Sequence, residues 1–137
     1  MNASSFVQFQ QIVHINYLRT LPALSTVAVV APILWLVTLR ARRASAEFKV
    51  LLGATVAIVT GYTITFVFNV PINNQLETWN IATPPANARE IWSQWERAHL
   101  IRTIFWVVGF FLEIVALVVS ASRNFTSAPT APPRIPA

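Results

Sequence analysis

The chain of 137 residues has no cysteine, no aspartate and only 3 glycines. Without cysteine it has no disulfide framework, no thiolate metal site and no cysteine nucleophile. Charged residues make up only 11% of the chain, about half of the roughly 25% that is usual in soluble domains. Since 55% of the residues are hydrophobic, the composition indicates an integral membrane protein with a single domain.

The charge balance is basic, with 10 lysines and arginines against 5 acids and a net charge of +5. The basic residues flank hydrophobic segments, as the positive-inside rule predicts for a membrane protein. No nucleic-acid-binding fold or basic stripe is visible, so no nucleic-acid partner is expected. The first twelve residues lack the positive region and the apolar core of a signal peptide, so every hydrophobic helix is expected to remain in the mature protein.

The distribution of apolar residues predicts an all-α transmembrane helix bundle. Three segments are long and apolar enough to cross the roughly 30 Å hydrocarbon core. These predicted spans are 21–39, 50–68 and 101–121. A polar connection, 69–90, separates the second span from the third.

The two ends of the chain differ from the spans. Residues 4–20 predict an amphipathic N-terminal helix that is too polar to span the membrane. Its apolar positions at helical spacing are Phe6, Phe9, Val13 and Tyr17. The bundle domain is predicted to cover residues 1–123, and the Pro-rich tail 124–137 is predicted to be disordered.

Small residues recur at every fourth position of the second span. Such a ridge lets another helix backbone approach closely. The ridge consists of Gly53, Ala57, Gly61, Thr65 and Asn69. It predicts close helix packing on this face.

Loop 40–49 holds the densest group of basic residues: Arg40, Arg42, Arg43 and Lys49. The positive-inside rule therefore predicts a multi-pass protein with this loop and the C-terminus in the cytoplasm. The Asn- and Trp-rich connection and the N-terminal helix would then face outward.

The last helix carries polar, aromatic and small residues along one side. They are Trp92, Trp95, His99, Arg102, Trp106, Gly109, Glu113, Ala116 and Ser120. Histidine titrates near neutral pH, so His99 is a candidate general base, although a histidine at a membrane boundary is more often only an interfacial residue. An ionised Glu113 near the bilayer centre would cost at least about 2.5 kcal/mol. It is predicted to face the interior, either with a function or as a hydrogen-bonding link to Ser25, Thr55 or Thr60.

The sequence predicts no metal site and no cofactor. Glu96 and His99 match the Glu-x-x-His spacing of di-iron bundles, but those sites need two such motifs and two further glutamates. His14 and His99 are the only histidines. They could bracket a haem, but nothing in the sequence requires one.

Two motifs carry a resemblance to a known family. Asn69, Pro71 and Asn73 form N-x-P-x-N, and after a Pro-rich insert the stretch 95–103 reads W-x-x-x-H-x-x-R-T. Together with the apolar helix that follows, they resemble the anthrone oxygenase-like family of small integral membrane proteins. The resemblance extends from about Phe6 to Val119, and His14 and Pro22 fit it loosely.

Members of that family typically have four spans, and the chain resembles them without the Gly-rich first one. The resemblance implies oxidation of an anthrone or similar phenol by O2, without metal or flavin. The hypothesis drawn from it makes His99 the base and Arg102 the oxyanion partner. The residues proposed to bind substrate are Asn69, Asn73, Trp92, Trp95 and Trp106.

The alternative function is a non-enzymatic membrane module. It would bind a lipid-like or quinone-like molecule, or associate with a partner membrane protein. The small-residue ridge and the three-span pattern both favour association. The partner would be a second copy of the chain or a helix in the place of the first span.

Overall fold

The computed structural model describes residues 2–19 and 21–126, and all regular structure within these ranges is helical. A 3-10 turn at Arg40–Arg42 and a π-helical turn at Thr65–Asn69 lie between the helices. The α-helices are α1 (Ala3–Leu18), α2 (Leu21–Thr38), α3 (Ala46–Ile64), α4 (Val70–Glu77) and α5 (Ala88–Thr126). The predicted all-α class is confirmed.

Three helical segments are long and apolar enough to cross a membrane: Leu21–Thr38, Ala46–Glu77 and Ala88–Arg123. This confirms the predicted arrangement of an N-terminal helix followed by three spans, and it identifies a membrane protein. The last helix begins at Ala88, well before the predicted start of its span near 101. The helical part outside the predicted span carries the motif residues Trp92, Trp95 and His99.

The segment 69–90, predicted as a polar connection, is helical as far as Glu77. Pro71 cannot donate a backbone hydrogen bond, which would normally end or kink the helix. Here a π-helical turn precedes it, in which the N–H of Val70 bonds to the carbonyl of Thr65. The wider turn accommodates the proline, so α4 continues the direction of α3 and the connection shortens to 78–87.

The helices pack mainly through α3 against α5. One apolar cluster at the end of the bundle near the 78–87 connection includes Phe6, Leu76, Trp79 and Trp92. A second cluster near the 40–45 turn is built around Leu39, Leu51 and Ala116. Along α5, His99, Arg102 and Trp106 lie between the two clusters.

The predicted ridge on the second span faces α5. Gly53 lies against Leu112, and Gly61 against the indole of Trp106. The remaining contacts are polar: Thr65 bonds to Arg102, and Asn69 to the carbonyl of Trp95. The close packing predicted from small residues is therefore confirmed.

Helix α1 contacts the bundle mostly through its first turns, where Phe6 and Val7 are buried. Farther along, the Gln11 amide donates to the carbonyls of Leu76 and Trp79 at 2.9 and 3.0 Å. Phe9 and Tyr17, predicted to share the apolar face with Phe6, are both 55% exposed. The exposed sides of Phe9 and Tyr17 therefore do not pack in the interior of the bundle, whereas Phe6 does.

A buried carboxylate joins the helix ends at the other side of the bundle. Glu47, 2% exposed in the first turn of α3, forms an ion pair with Arg123 near the end of α5. Arg42 lies 3.8 Å from the same carboxylate. Residues 124–126, predicted as the beginning of the tail, are helical, and the rest of the predicted tail, 127–137, lies outside the described residues.

Candidate functional site

A cavity lies where four helical segments of the described part of the chain meet. Its volume is about 380 Å³, and its wall is mostly apolar. This volume is in the range of about 300–1,000 Å³ that is typical of small-molecule sites. The polar and aromatic side chains in its wall are His14, Tyr17, Ser25, Tyr62, Thr65, Phe66, Arg102 and Trp106.

Arg102 brings the positive charge to this wall, and its guanidinium is held on three sides. Its Nε and Nη2 lie 3.2 and 2.7 Å from Nδ1 of His99. Its Nη1 donates to the Thr65 hydroxyl at 3.2 Å, and Thr65 donates onward to the carbonyl of Gly61. The guanidinium carbon also lies 5.0 Å from the centre of the Trp106 ring. These contacts hold the guanidinium in one orientation at the cavity wall.

His99 serves as the acceptor for Arg102 rather than lining the cavity. Arginine has no acceptor, so Nδ1 of His99 must supply the lone pair and the ring proton lies on Nε2. The ring stacks on Trp95 with centroids 4.6 Å apart, and Trp95 stacks on Trp92 at 4.5 Å. This geometry favours a positioning role for His99 over the predicted role of base, because the lone pair is already used.

His14 lines the cavity from α1. Its Nε2 lies 3.1 Å from Oε1 of Glu77 at the end of α4. Only 13% of the His14 side chain is exposed, against 46% for Glu77. Of the two histidines considered as haem ligands, only His14 borders the cavity.

The other proposed substrate-binding residues, except Trp106, lie outside the cavity wall. Asn69 is 1% exposed and donates to the Trp95 carbonyl at 3.1 Å. Trp92 belongs to the apolar cluster around Phe6, and Trp95 lies between Trp92 and His99. Asn73 is half-buried and does not border the cavity. Most of the motif residues therefore lie behind the cavity wall, next to the residues that hold Arg102, and do not form the wall itself.

A smaller cavity of about 170 Å³ shares Ser25, Ala28 and Trp106 with the large one and has Glu113 in its wall. The residues predicted to form a hydrogen bond with Glu113 instead donate to carbonyls of their own helices. Ser25, Thr55 and Thr60 donate to the backbone carbonyls of Leu21, Leu51 and Val56. Among the described residues, none forms a hydrogen bond with the Glu113 side chain, so the predicted link between helices is not formed.

Sequence reasoning missed Tyr17, Tyr62 and Thr65 as cavity residues and gave His14 only a minor place. Thr65 was visible as part of the small-residue ridge, which indicated packing rather than a site. His14 was visible as one of two histidines and as a loose match to the family resemblance. No local spacing relates α1 to residues of α4 and α5 that are more than sixty positions away.

A family model described as anthrone oxygenase matches residues 9–112, which is most of the chain and includes every wall residue named above. No curated protein matches the chain. No solved structure matches it either.

Proposed function

Because the chain belongs to the anthrone oxygenase family, we propose that it oxidises an anthrone-like or phenolic small molecule with O2, using no metal or organic cofactor. The observation that carries the proposal is the single guanidinium held in the apolar wall of the large cavity. An apolar cavity with few placed polar groups suits a flat aromatic substrate that carries one developing negative charge.

The reaction needs little from the protein beyond binding and proton transfer. Removal of a proton from the methylene carbon of an anthrone leaves an electron-rich, phenolate-like anion. This anion transfers an electron to O2, and the two radicals combine to give a hydroperoxide at that carbon. Loss of the second methylene proton and of hydroxide gives the quinone, so one anthrone and one O2 yield one quinone and one water.

Arg102 is the proposed partner of the substrate oxygen. Charge develops on that oxygen as the carbon loses its proton, and a fixed donor aimed at developing charge lowers the barrier. His99 and Thr65 hold the guanidinium in place, so little reorganisation is needed when the anion forms. Substituting a residue that makes such a contact costs about 100- to 1,000-fold in turnover.

Trp106, Tyr62 and Phe66 are the proposed aromatic walls for the flat rings. Aromatic side chains pack on one another in offset or edge-on arrangements that each contribute about 0.5–1.5 kcal/mol beyond area burial. Asn69, Trp92 and Trp95 would act from behind the wall by supporting α5 and His99. Asn73 stays a proposed substrate contact only for a substrate that reaches beyond the cavity.

The test is O2 uptake by the purified full-length protein in detergent with anthrone as substrate. We expect the wild type to exceed the buffer rate and Arg102→Ala to lose about 100-fold or more of the enzymatic rate. Arg97→Ala is the matched control, since Arg97 is an exposed arginine of the same helix that does not border the cavity. A wild-type rate equal to that of buffer would refute the oxygenase proposal.

A second candidate function is a non-enzymatic module that binds a lipid-like or quinone-like molecule. It is favoured by the exposed surface of α2, where Pro32 is the one buried residue of Leu21–Thr38. A second copy or a partner helix could cover α2 in place of lipid. Binding of a quinone that quenches tryptophan fluorescence, without any O2 uptake, would support this function.

A further inference from the structure

The histidine at the wall of the large cavity is His14, and it is oriented by a carboxylate. Its Nε2 lies 3.1 Å from Glu77 Oε1, and its side chain is 13% exposed. A carboxylate only accepts hydrogen bonds, so Nε2 carries the proton. The neutral ring then has its basic lone pair on Nδ1.

His99, the other histidine, differs in both respects. Its Nδ1 accepts from Nε and Nη2 of Arg102, and its ring does not border the cavity. To accept a proton it would first have to release Arg102 and then carry a positive charge beside it. Within the described residues, only His14 combines a place in the cavity wall with a ring nitrogen that makes no hydrogen bond.

We propose that the His14–Glu77 pair is the general base of this cavity and removes the methylene proton of the substrate. The inference rests on the proposed function and names a catalytic residue for it. A histidine paired with a carboxylate that fixes its tautomer is a recurring arrangement for proton abstraction. Here Glu77 is the positioning residue, and His14 is the group that touches substrate.

The proton transfer balances with groups already in the cavity. The carbon–hydrogen bond breaks, its proton goes to Nδ1 of His14, and its electron pair becomes the π bond of the enolate. The negative charge moves to the substrate oxygen beside Arg102. After O2 adds, the imidazolium returns the proton to the peroxide anion, and the neutral ring takes the second methylene proton as hydroxide leaves. Hydroxide recovers that proton as water.

A purely structural role for the pair, joining α1 to α4, is the competing explanation. Other contacts already make that junction. The Gln11 amide donates to two carbonyls at the end of α4 and beyond it, and Phe6 and Val7 are buried in the cluster that contains Leu76. Removal of the His14 imidazole should therefore leave the fold intact.

The deciding experiment measures proton transfer and oxidation separately in the full-length protein in detergent. Without O2, exchange of the methylene protons of anthrone with deuterated water follows the base alone. We expect His14→Ala to lower both enzymatic exchange and O2 uptake by about 100-fold or more, the usual contribution of a general base. Added imidazole should restore much of both rates by occupying the vacated space.

Three variants serve as controls. His99→Ala should lose activity but gain nothing from imidazole, since its defect is in the placement of Arg102. Gln11→Ala, which weakens the α1–α4 junction without touching the base, should keep exchange near the wild-type rate. Glu77→Gln should lower exchange less than His14→Ala does, because a half-exposed partner couples weakly.

The outcomes separate this inference from the proposed function. If the wild type consumes O2 with anthrone and folded His14→Ala matches it, the pair is not the base although the oxygenase proposal stands. If imidazole restores His99→Ala and not His14→Ala, the base is His99. If exchange depends on His14 but no O2 is consumed, the base assignment holds and the oxygenase proposal fails.

Discussion

At the scale of single residues, the most consequential side chain is Arg102, a half-buried cation on a helix that crosses the membrane. Charged groups at such positions are rare, and they face the bundle interior or a cavity. Three of its nitrogens are held by His99 and Thr65, and its charge also lies near the Trp106 ring. Its orientation therefore depends on His99, which does not border the cavity, and on Thr65 and Trp106, which do.

Substitutions at His99 should distinguish support of Arg102 from proton abstraction. The amide oxygen of His99→Gln can still accept from the guanidinium, whereas His99→Ala leaves it without an acceptor on that side. Hydrogen bonds to charged groups contribute about 1.5–3 kcal/mol, so we expect kcat/KM for anthrone to fall roughly 10- to 100-fold in His99→Ala. His99→Gln should keep most of it. Equal losses in both variants would instead point to His99 as the base.

The distance along the chain decides which residue pairs could be predicted. His99 and Arg102 are three positions apart on one helix, so their neighbourhood follows from helix geometry alone. His14 and Glu77 are 63 positions apart and lie on different helices. Their contact depends on how α1 docks, and no local pattern predicts that docking.

At the scale of helices, the seam between α3 and α5 sets the position of the cavity wall. Gly109 of α5 faces Ile58 and the carbonyl of Ala54, and Gly61 of α3 faces Trp106. A Cβ atom at position 109 would lie 2.6 Å from Cγ1 of Ile58 and 3.1 Å from the Ala54 oxygen. The helices can approach this closely only because neither position carries a side chain.

Alanine substitutions along this seam should therefore differ sharply. Overpacking usually costs about 1–3 kcal/mol, and we expect Gly109→Ala and Gly61→Ala to lower the free energy of unfolding by that amount. Gly53→Ala is the control, because its Cβ would meet Leu112 at an ordinary 3.7 Å. Unfolding followed by circular dichroism in mixed micelles measures all three. A Gly53→Ala loss as large as that of Gly109→Ala would contradict this account of the seam.

The end of the second span shows where element prediction fails. The sequence predicted a connection at 69–90 because this segment is polar and contains Pro71. In the structure the segment is helical as far as Glu77. The π-helical turn before Pro71 depends on tertiary contacts, because its residue Asn69 donates a hydrogen bond to the Trp95 carbonyl of α5. Sequence rules for proline describe the isolated helix, in which no neighbour satisfies the freed groups.

At the scale of the whole molecule, the longest helix, α5, is longer than the hydrocarbon core of a membrane is thick. At about 1.5 Å per residue, the 39 residues of α5 extend about 58 Å, roughly twice the ~30 Å hydrocarbon core. One apolar window of this helix suffices to cross. The parts of α5 outside this window contact other helices. The end that carries Trp92 packs against α1 and α4, and the end that carries Arg123 pairs with Glu47.

The positive-inside rule predicts that the loop 40–49 lies in the cytoplasm. This orientation can be measured with single introduced cysteines, because the chain itself contains none. Single cysteines replace the exposed Ala44, in the basic turn, or Ala86, in the connection before α5. In intact cells a membrane-impermeant maleimide should label Ala86→Cys, and Ala44→Cys only after permeabilisation. The unsubstituted chain gives the blank. The reverse pattern of labelling would invert the proposed orientation.

The sequence by itself determined the membrane character, the three spans and the close helix packing at the small-residue ridge of the second span. These properties depend on composition and on spacing within one helix, where geometry is set by hydrogen bonds between near neighbours. Only the tertiary structure decided that His14 lines the cavity, that Glu77 orients it, and that Asn69, Trp92 and Trp95 lie behind the wall. The docking of α1 and the packing of α3 against α5 made those choices, because burial and contact between distant helices depend on the shapes of all their side chains together.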